Sequence, residues 1–273
     1  MKITKTAYGA RITGCEDFAP EKMFHCGQCF RWNDEGVGIV RGHAARVVRA
    51  GDTADIFCEP ALWDALWRPY FDLDRDYAAL RRAFSRDESL KRAAAFGAGI
   101  RILRQDAWEA LVSFLISQCN RIPRIRAIIE RLCEQLGAPL FAFGKERYAF
   151  PEPARLAGCT PEDLAPLRAG YRAGYLLAAA QAVASGALDF GELAQLPTDA
   201  ARARLCALPG VGGKVADCVL LFGMGRHDAF PMDVWMKRAV RTLYGGNVPD
   251  FGAQRGVAQQ YLFYAARAGE FNL

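Results

Sequence analysis

The segment 208-LPGVGGKVADCVLLFGMGRHDAFPMDVWMKR-238 is the most informative part of this 273-residue chain. Its glycines predict a tight hairpin, and the apolar residues that follow Lys214 predict a helix. Glycine lets a phosphate approach the backbone closely, and the next helix directs unpaired N–H groups and its positive dipole end towards that phosphate. The segment therefore predicts a helix-hairpin-helix with a phosphate site at Gly210, Gly212 and Gly213. An ordinary turn between two helices has the same pattern.

The same segment contains an amine and a carboxylate that are candidates for chemistry. Lys214 begins a helix rich in Val, Leu and Phe, and Cys218 follows four residues later on the same helical face. Asp233 opens the next helix after Phe230-Pro231. A helix, a turn and a second helix place the two helix starts close together, so the amine and the carboxylate converge beside the phosphate. The alternatives are a lysine that extends to solvent and an aspartate that only caps a helix.

Composition sets wide bounds on function. The chain has 35 Lys and Arg against 30 Asp and Glu, and its net charge of +5 permits a polyanionic partner without requiring one. No apolar run approaches about 18 residues, and the amino-terminal residues lack a signal peptide, so we expect no membrane association. The nine scattered cysteines favour a reducing cytoplasm. Cys26 and Cys29 lack the second ligand pair that a zinc site needs, so no metal and no cofactor are predicted.

The order of local patterns predicts an α+β fold that is mainly α-helical. Short β-rich runs at 30–42, 44–51 and 53–59 are separated by turn residues and predict a small antiparallel sheet. Helical patterns follow at 61–71, 76–96, 106–120, 123–137, 161–170, 172–186, 198–210, 213–225, 232–245 and 252–269. We therefore expect an N-terminal β-sheet domain over 1–98 and a helix-hairpin-helix region over 99–273. In that region the hairpin spans 205–215, and a cleft separates two helical lobes.

Several motifs resemble one known family. The residues of 208-LPGVGGKVAD-217, followed by 231-PMDV-234, resemble the helix-hairpin-helix superfamily of DNA glycosylases, in which the lysine marks the bifunctional members. Four further segments, in the same order along the chain, resemble the 8-oxoguanine DNA glycosylases: 26-CGQCFRW-32, 99-GIRILRQDAWEALVSFLISQCN-120, 170-GYRAGY-175 and 256-GVAQQYLF-263. Together the motifs extend over residues 20 to 265. A hairpin alone would be far less specific.

The resemblance implies a reaction and a partner. The enzyme would act on double-stranded DNA that contains 8-oxoguanine, opposite cytosine, as a cytoplasmic, nucleoid-associated monomer. Lys214 would attack C1′ of the flipped nucleotide and form a Schiff base that leads to β-elimination, while Asp233 stabilises the positive charge. The remaining site residues follow from the same resemblance: Gly27, Gln259, Phe263 and Cys218 at the base, Tyr171 as a wedge in the stack, and Arg172, Arg124 and Asn120 at the opposite base.

The chain departs from the family pattern at three positions. Cys119 occupies the place of an asparagine in the loop, so we assign that role to the neighbouring Asn120; Trp235 and Ala266 replace a histidine and an aspartate. Two other functions stay open. A monofunctional alkylbase glycosylase that uses water has no need of Lys214. A non-catalytic helix-hairpin-helix DNA-binding protein explains the hairpin and the charge, but not Asp233 or the Gln259 and Phe263 pair.

Overall fold

The N-terminal part of the chain folds around a five-stranded antiparallel sheet. The computed structural model describes residues 1–271. The strands are β1 (Lys2–Thr6), β2 (Gly9–Thr13), β3 (Val37–Val40), β4 (His43–Ala50) and β5 (Thr53–Phe57), in the spatial order β1-β2-β5-β4-β3. Alternate residues of β2 and β5, such as Ile12 and Ile56, point into an aromatic core that includes Trp32 and Trp67. The predicted antiparallel sheet is confirmed, with two strands that the sequence pattern missed.

In the rest of the described chain, the regular structure is mainly helical. The helices are α1 (Pro20–Met23), α2 (Arg68–Tyr70), α3 (Tyr77–Phe84), α4 (Glu88–Phe96), α5 (Ala107–Ser117), α6 (Ile122–Leu136), α7 (Pro153–Ala157), α8 (Arg172–Ala184), α9 (Phe190–Gln195), α10 (Thr198–Cys206), α11 (Gly213–Cys218), α12 (Val234–Tyr244) and α13 (Arg255–Arg267). π-Helical turns precede α2 at Trp63–Trp67 and extend α11 at Val219–Gly223. None of the helices within residues 1–271 is long and apolar enough to cross a membrane.

Two predicted helices are wrong in detail. The pattern at 76–96 is two helices, because Asp87 ends the first and caps the second by accepting a hydrogen bond from Leu90 N at 2.6 Å. The segment 161–170 forms turns and a short 3-10 helix, Ala165–Leu167, which ends where Arg168 adopts a left-handed φ of 55°. A surface hairpin, β6 (Pro139–Ala142) with β7 (Lys145–Tyr148), was not predicted.

Two apolar cores meet along the segment that enters α5. The larger core contains residues of α3 and α4 together with the later helices, although these two helices precede the boundary expected at 98. Arg101 is 1% exposed and joins the two parts by donating to the carbonyls of Asp17 (3.0 Å), Phe71 (3.1 Å) and Asp72 (2.6 Å). Helix α5 lies at the centre of the larger core, where nine of its eleven residues are buried. Because α5 is buried in this way, its C-terminal end has a fixed position, and the candidate site lies at that end.

Candidate active site

One pocket collects most of the predicted site residues. Its lining comes from an N-terminal loop, α5, α11 with its extension, the start of α12 and one face of α13: Gly27, Phe114, Lys214, Cys218, Phe222, Pro231, Asp233, Gln259, Gln260 and Phe263. The enclosed space is only about 40 Å³, so the walls of the pocket lie close together in this structure. The wider mouth adds polar and basic residues: Ser117, Asn120, Arg121, Trp235 and Arg267. The pocket is therefore apolar in its interior, and polar and basic side chains surround its mouth.

Lys214 lies between an aromatic face and a hydroxyl. Its Nζ is 5.1 Å from the centre of the Phe114 ring and donates a long hydrogen bond, 3.4 Å, to Ser117 Oγ. Ser117 Oγ gives its own proton to Phe114 O at 2.8 Å, so it can only accept from the lysine. Lys214 and Asp233 line the same pocket but form no ion pair within the described residues. The amine is thus held at the pocket wall by weak contacts that a substrate can replace.

Cys218 forms part of the pocket wall as a neutral thiol. The residue is 3% exposed, and burial raises the pKa of its thiol to about 11. The charge of nearby Lys214 lowers this pKa without reversing the effect of burial. A neutral thiol is a poor nucleophile, which favours Lys214 over Cys218 as the candidate nucleophile.

Asp233 is both a helix cap and a pocket carboxylate. Its Oδ1 accepts a hydrogen bond from Met236 N at 2.8 Å, which fixes the side chain at the first turn of α12. The carboxylate thus lies at the positive end of the helix dipole. A fixed negative charge therefore faces the same space as the lysine amine.

Gln259, Phe263 and Gly27 form further parts of the pocket wall. Gln259 and Phe263 are one helical turn apart on α13. Gln259 is 4% exposed and donates to Pro231 O at 3.1 Å, but its Oε1 is buried without a hydrogen-bond donor. Gly27 has a φ of 87°, and a Cβ there would lie 3.4 Å from Phe263 Cε1. A buried acceptor without a donor is costly, and a ligand N–H would satisfy it.

The hairpin glycines have different roles. Gly210 has a φ of 80°, and a Cβ there would lie 2.4 Å from the Tyr175 ring, so conformation and packing both require glycine. Nothing lies within 4 Å of a Cβ at Gly212 or Gly213. These two glycines therefore leave open space in front of the first N–H groups of α11, as a phosphate needs.

On the predicted opposite-base side, Tyr171 and Arg172 differ sharply in exposure. Tyr171 is 58% exposed, and the Arg172 guanidinium lies 4.4 Å from the centre of its ring. Arg172 is only 3% exposed and donates to the carbonyls of Gln118, Cys119 (3.3 Å) and Ala169 (3.2 Å). In this conformation Arg172 holds the loop after α5 instead of facing solvent. Its contact with an opposite base stays a prediction that requires the side chain to leave those carbonyls.

The loop residues after α5 are also engaged within the protein. Asn120 donates through Nδ2 to Ile116 O at 3.2 Å and accepts from Arg121 N at 3.0 Å. Cys119 is exposed and adopts a left-handed φ of 47°. Arg124 is exposed on α6 and donates to Arg168 O at 3.3 Å. The structure brings Asn120 to the pocket mouth, and the opposite-base roles of Asn120 and Arg124 stay predictions.

Sequence reasoning missed several residues of the pocket. Phe114 and Ser117 contact Lys214, Gln260 lines the base-facing side, and Arg267 lies at the mouth. The spacing of Arg267 four residues after Phe263 was an available signal; the others have none in local sequence. Trp235 lies at the mouth with Arg238 5.4 Å from its ring, and Ala266 is buried in α13. Among residues 1–271 no group of three or more His, Cys, Asp or Glu side chains could hold a metal ion.

Comparison with known families matches almost the whole chain. The family described as "8-oxoguanine DNA glycosylase, N-terminal domain" matches residues 12–111, and the "HhH-GPD superfamily base excision DNA repair protein" family matches residues 112–250. The chain is 34% identical to the N-glycosylase/DNA lyase OGG1 of Arabidopsis thaliana over 93% of its own length and 81% of that protein. The chain belongs to the 8-oxoguanine DNA glycosylase family.

Solved structures agree with this assignment. The glycosylase is similar to the 8-oxoguanine glycosylase/lyase of Clostridium acetobutylicum in complex with double-stranded DNA containing cytosine opposite 8-oxoguanine, with 36% identity, a TM-score of 0.93 and 99% of each chain covered. It is similar to MBOgg1 in complex with a low-affinity DNA ligand, with 40% identity, the same TM-score and the same coverage. The predicted fold class is confirmed: a small N-terminal antiparallel sheet precedes a helical region with a helix-hairpin-helix.

Proposed function

We propose that the protein is a bifunctional glycosylase and abasic-site lyase that removes 8-oxoguanine from duplex DNA. The observation that carries the proposal is the pocket that the Lys214 amine and the Asp233 carboxylate line together, with an acceptor, Gln259 Oε1, that has no donor among residues 1–271. The relatives supply the substrate class, since those in the same family are N-glycosylase/DNA lyases and 8-oxoguanine glycosylases. We propose a monomer that acts in the cytoplasm at the nucleoid, where its substrate lies.

In the first chemical step, the lone pair of the neutral Lys214 amine forms a bond to C1′ of the flipped nucleotide. The bond between C1′ and N9 breaks, its electron pair leaves with the base, and the base takes up a proton. Asp233 stabilises the positive charge that develops on the sugar. The amine nitrogen then loses a proton, the sugar ring opens as C1′ releases the ring oxygen, and a Schiff base joins Lys214 to C1′.

In the second step, the Schiff base acts as an electron sink for the lyase reaction. A base removes a proton from C2′, and the bond between C3′ and its phosphate oxygen breaks, so the phosphate leaves with the electron pair. Water then adds to the carbon of the Schiff base and releases the unsaturated aldehyde, which restores the lysine amine. Because Lys214 is the nucleophile, glycosylase and lyase activities depend on the same side chain.

The base-facing residues account for recognition. We propose that the Gly27 carbonyl accepts the N7–H that 8-oxoguanine has and guanine lacks, and that glycine is favoured there because a φ of 87° strains any residue with a side chain. Gln259 would pair its free Oε1 with a donor on the Watson–Crick edge, and Phe263 would stack on the base. Gly210, Gly212 and Gly213 would place the damaged strand, and Tyr171, Arg172, Arg124 and Asn120 would fill the gap and contact the opposite cytosine.

Borohydride trapping tests the proposal directly. The protein is incubated with an 8-oxoguanine·cytosine duplex and sodium borohydride, which reduces a Schiff base to a stable adduct. We expect base release, strand cleavage and a covalent adduct in the unaltered protein, and none of these with Lys214→Gln. Lys91→Gln, at an exposed position on α4 where the amine donates to Glu88, is a matched control that retains the adduct. Base release without dependence on Lys214 would instead support the alkylbase type of enzyme, and DNA binding without base release would support a binding protein.

A further inference from the structure

The loop that carries Gly27 is fixed through its carbonyl groups. Arg126 Nη2 donates to Phe24 O at 2.8 Å, and Arg267 Nη1 donates to His25 O at 3.4 Å. Gln260 Nε2 donates to Cys26 O at 3.3 Å, and Gln105 Nε2 donates to Gln28 O at 2.6 Å. The Gly27 carbonyl is the exception, because no donor among the described residues reaches it. Side chains from distant parts of the chain thus hold the neighbours of this carbonyl and leave it free.

The two glutamines that flank Gly27 are buried. Gln260 is 2% exposed and Gln105 is 5% exposed. Gln28 itself is fully buried, where its side chain donates to Arg101 O and accepts from Leu103 N, both at 2.9 Å. Burial makes each of these amide contacts expensive to lose, because a carbonyl without a donor keeps its desolvation cost. The peptide groups that contain Cys26 O and Gln28 O therefore have little freedom to rotate.

Glycine makes this restraint necessary. A glycine with a φ of 87° has access to many backbone conformations, and an unrestrained peptide could rotate its carbonyl away from the pocket. A carbonyl that is fixed attracts a donor at N7 of a purine and repels an acceptor there. A carbonyl that turns freely distinguishes the two purines poorly, because it can rotate away from an acceptor at N7 and so avoid the repulsion.

We propose that Gln260 and Gln105 are positioning residues that fix the direction of the Gly27 carbonyl and so set the preference for a purine with a hydrogen at N7. The inference rests on the proposed function, because it concerns how that pocket tells 8-oxoguanine from guanine. Gln260 acts from α13 on the peptide before Gly27, and Gln105 acts from the segment before α5 on the peptide after Gln28. Neither side chain takes part in the attack of Lys214 on the sugar.

The test compares two substrates in each variant. Single-turnover rates are measured on an 8-oxoguanine·cytosine duplex, where the base must be read, and on a duplex with an abasic site, where no base is present. The variants are Gln260→Met and Gln105→Met, which keep the shape but remove the donor, and Gln260→Glu, whose carboxylate repels Cys26 O. Gln135→Met, at an exposed position on α6 where the glutamine donates to Asp163 O, is the matched control.

We expect both methionine variants to excise 8-oxoguanine about 10-fold more slowly and Gln260→Glu to be slower still, while cleavage at the abasic site changes by less than about 2-fold. The ratio of 8-oxoguanine to guanine affinity should fall in parallel. Unchanged excision in variants with normal thermal unfolding would overturn the proposal, and so would equal losses on both substrates. Because the two glutamines act on different peptides, Gln105→Met decides the matter if Gln260→Met fails to fold. If the unaltered protein does not release 8-oxoguanine, the proposed function itself fails.

Discussion

Replacing Asp233 by asparagine separates the two roles of this side chain. Asparagine caps a helix about as well as aspartate, so Asp233→Asn keeps the acceptor for Met236 N and should leave thermal unfolding unchanged. The substitution removes the negative charge that faces the sugar. At about 5 Å and an effective dielectric constant of about 20, that charge stabilises a unit positive charge by about 3 kcal/mol, a factor of about 100 in rate.

Asp233→Ala is the comparison, because it removes the charge and the cap together. Loss of a cap costs about 1 kcal/mol, which lowers the unfolding temperature of a chain of this size by about 2–4 °C. We therefore expect both variants to excise 8-oxoguanine about 100-fold more slowly in single-turnover assays, while the alanine variant alone has a lowered unfolding temperature. Differential scanning calorimetry measures the second quantity on the same samples.

Two outcomes would refute this reasoning. If the Asp233→Asn variant excises the base at the normal rate, the carboxylate charge does not stabilise the transition state. The carboxylate then lies in the pocket for a reason other than catalysis. If the asparagine variant unfolds as early as the alanine variant, the hydrogen bond to Met236 N is not the contribution of this side chain to stability.

Three further predictions concern stability. A Cβ at Gly210 would lie 2.4 Å from the Tyr175 ring, and the φ there is 80°. Gly210→Ala should therefore lower the free energy of unfolding by about 2 kcal/mol or more in denaturant titrations. Gly212→Ala should leave the free energy of unfolding unchanged and weaken DNA binding. Burial lowers the pKa of His227 from 6.5 to about 4. The unfolded chain therefore binds a proton at this side chain that the folded protein does not, so the free energy of unfolding should fall by up to about 3 kcal/mol as the pH falls from 6.5 towards 4. His227→Gln should remove this pH dependence. Burial raises the pKa of Glu109 from 4.5 to about 7, so stability should fall as the pH rises through that interval, and Glu109→Gln should abolish that fall.

The parts of the fold that were predicted from sequence are those in which local pattern and tertiary burial agree. Helices α5, α6, α12 and α13 have long apolar faces and clear ends, and the structure places them within a few residues of the predicted spans. Strand β1 is exposed or half-buried throughout, so its residues lack the alternation that indicates a strand. At 161–170, Thr160 and Asp163 form a local turn through their side chains, and Pro166 interrupts the helical pattern.

The residues of the candidate site also fall into two groups, those that the sequence identified and those that depend on long-range contacts. Lys214 with Asp233, and Gln259 with Phe263, are pairs within short segments, so spacing and resemblance together were enough to name them. Gln260 contacts Cys26 across 234 positions, and Lys214 contacts Ser117 across 97. No periodicity reports such contacts, because they depend on how the loop at Gly27 and the end of α5 pack against later helices.

The four residues 117–120 connect the nucleophile with the surface predicted to contact the opposite base. Ser117 accepts from the Lys214 amine at one end of this segment. In the middle, the buried Arg172 holds the carbonyls of Gln118 and Cys119, and at the far end Asn120 bonds back to Ile116 O. An opposite base that draws Arg172 away from these carbonyls would release the segment that carries the hydroxyl bonded to the lysine. The carbonyls that hold Arg172 and the hydroxyl that bonds the Lys214 amine therefore lie on one short stretch of backbone, and the left-handed Cys119 lies at its exposed turn.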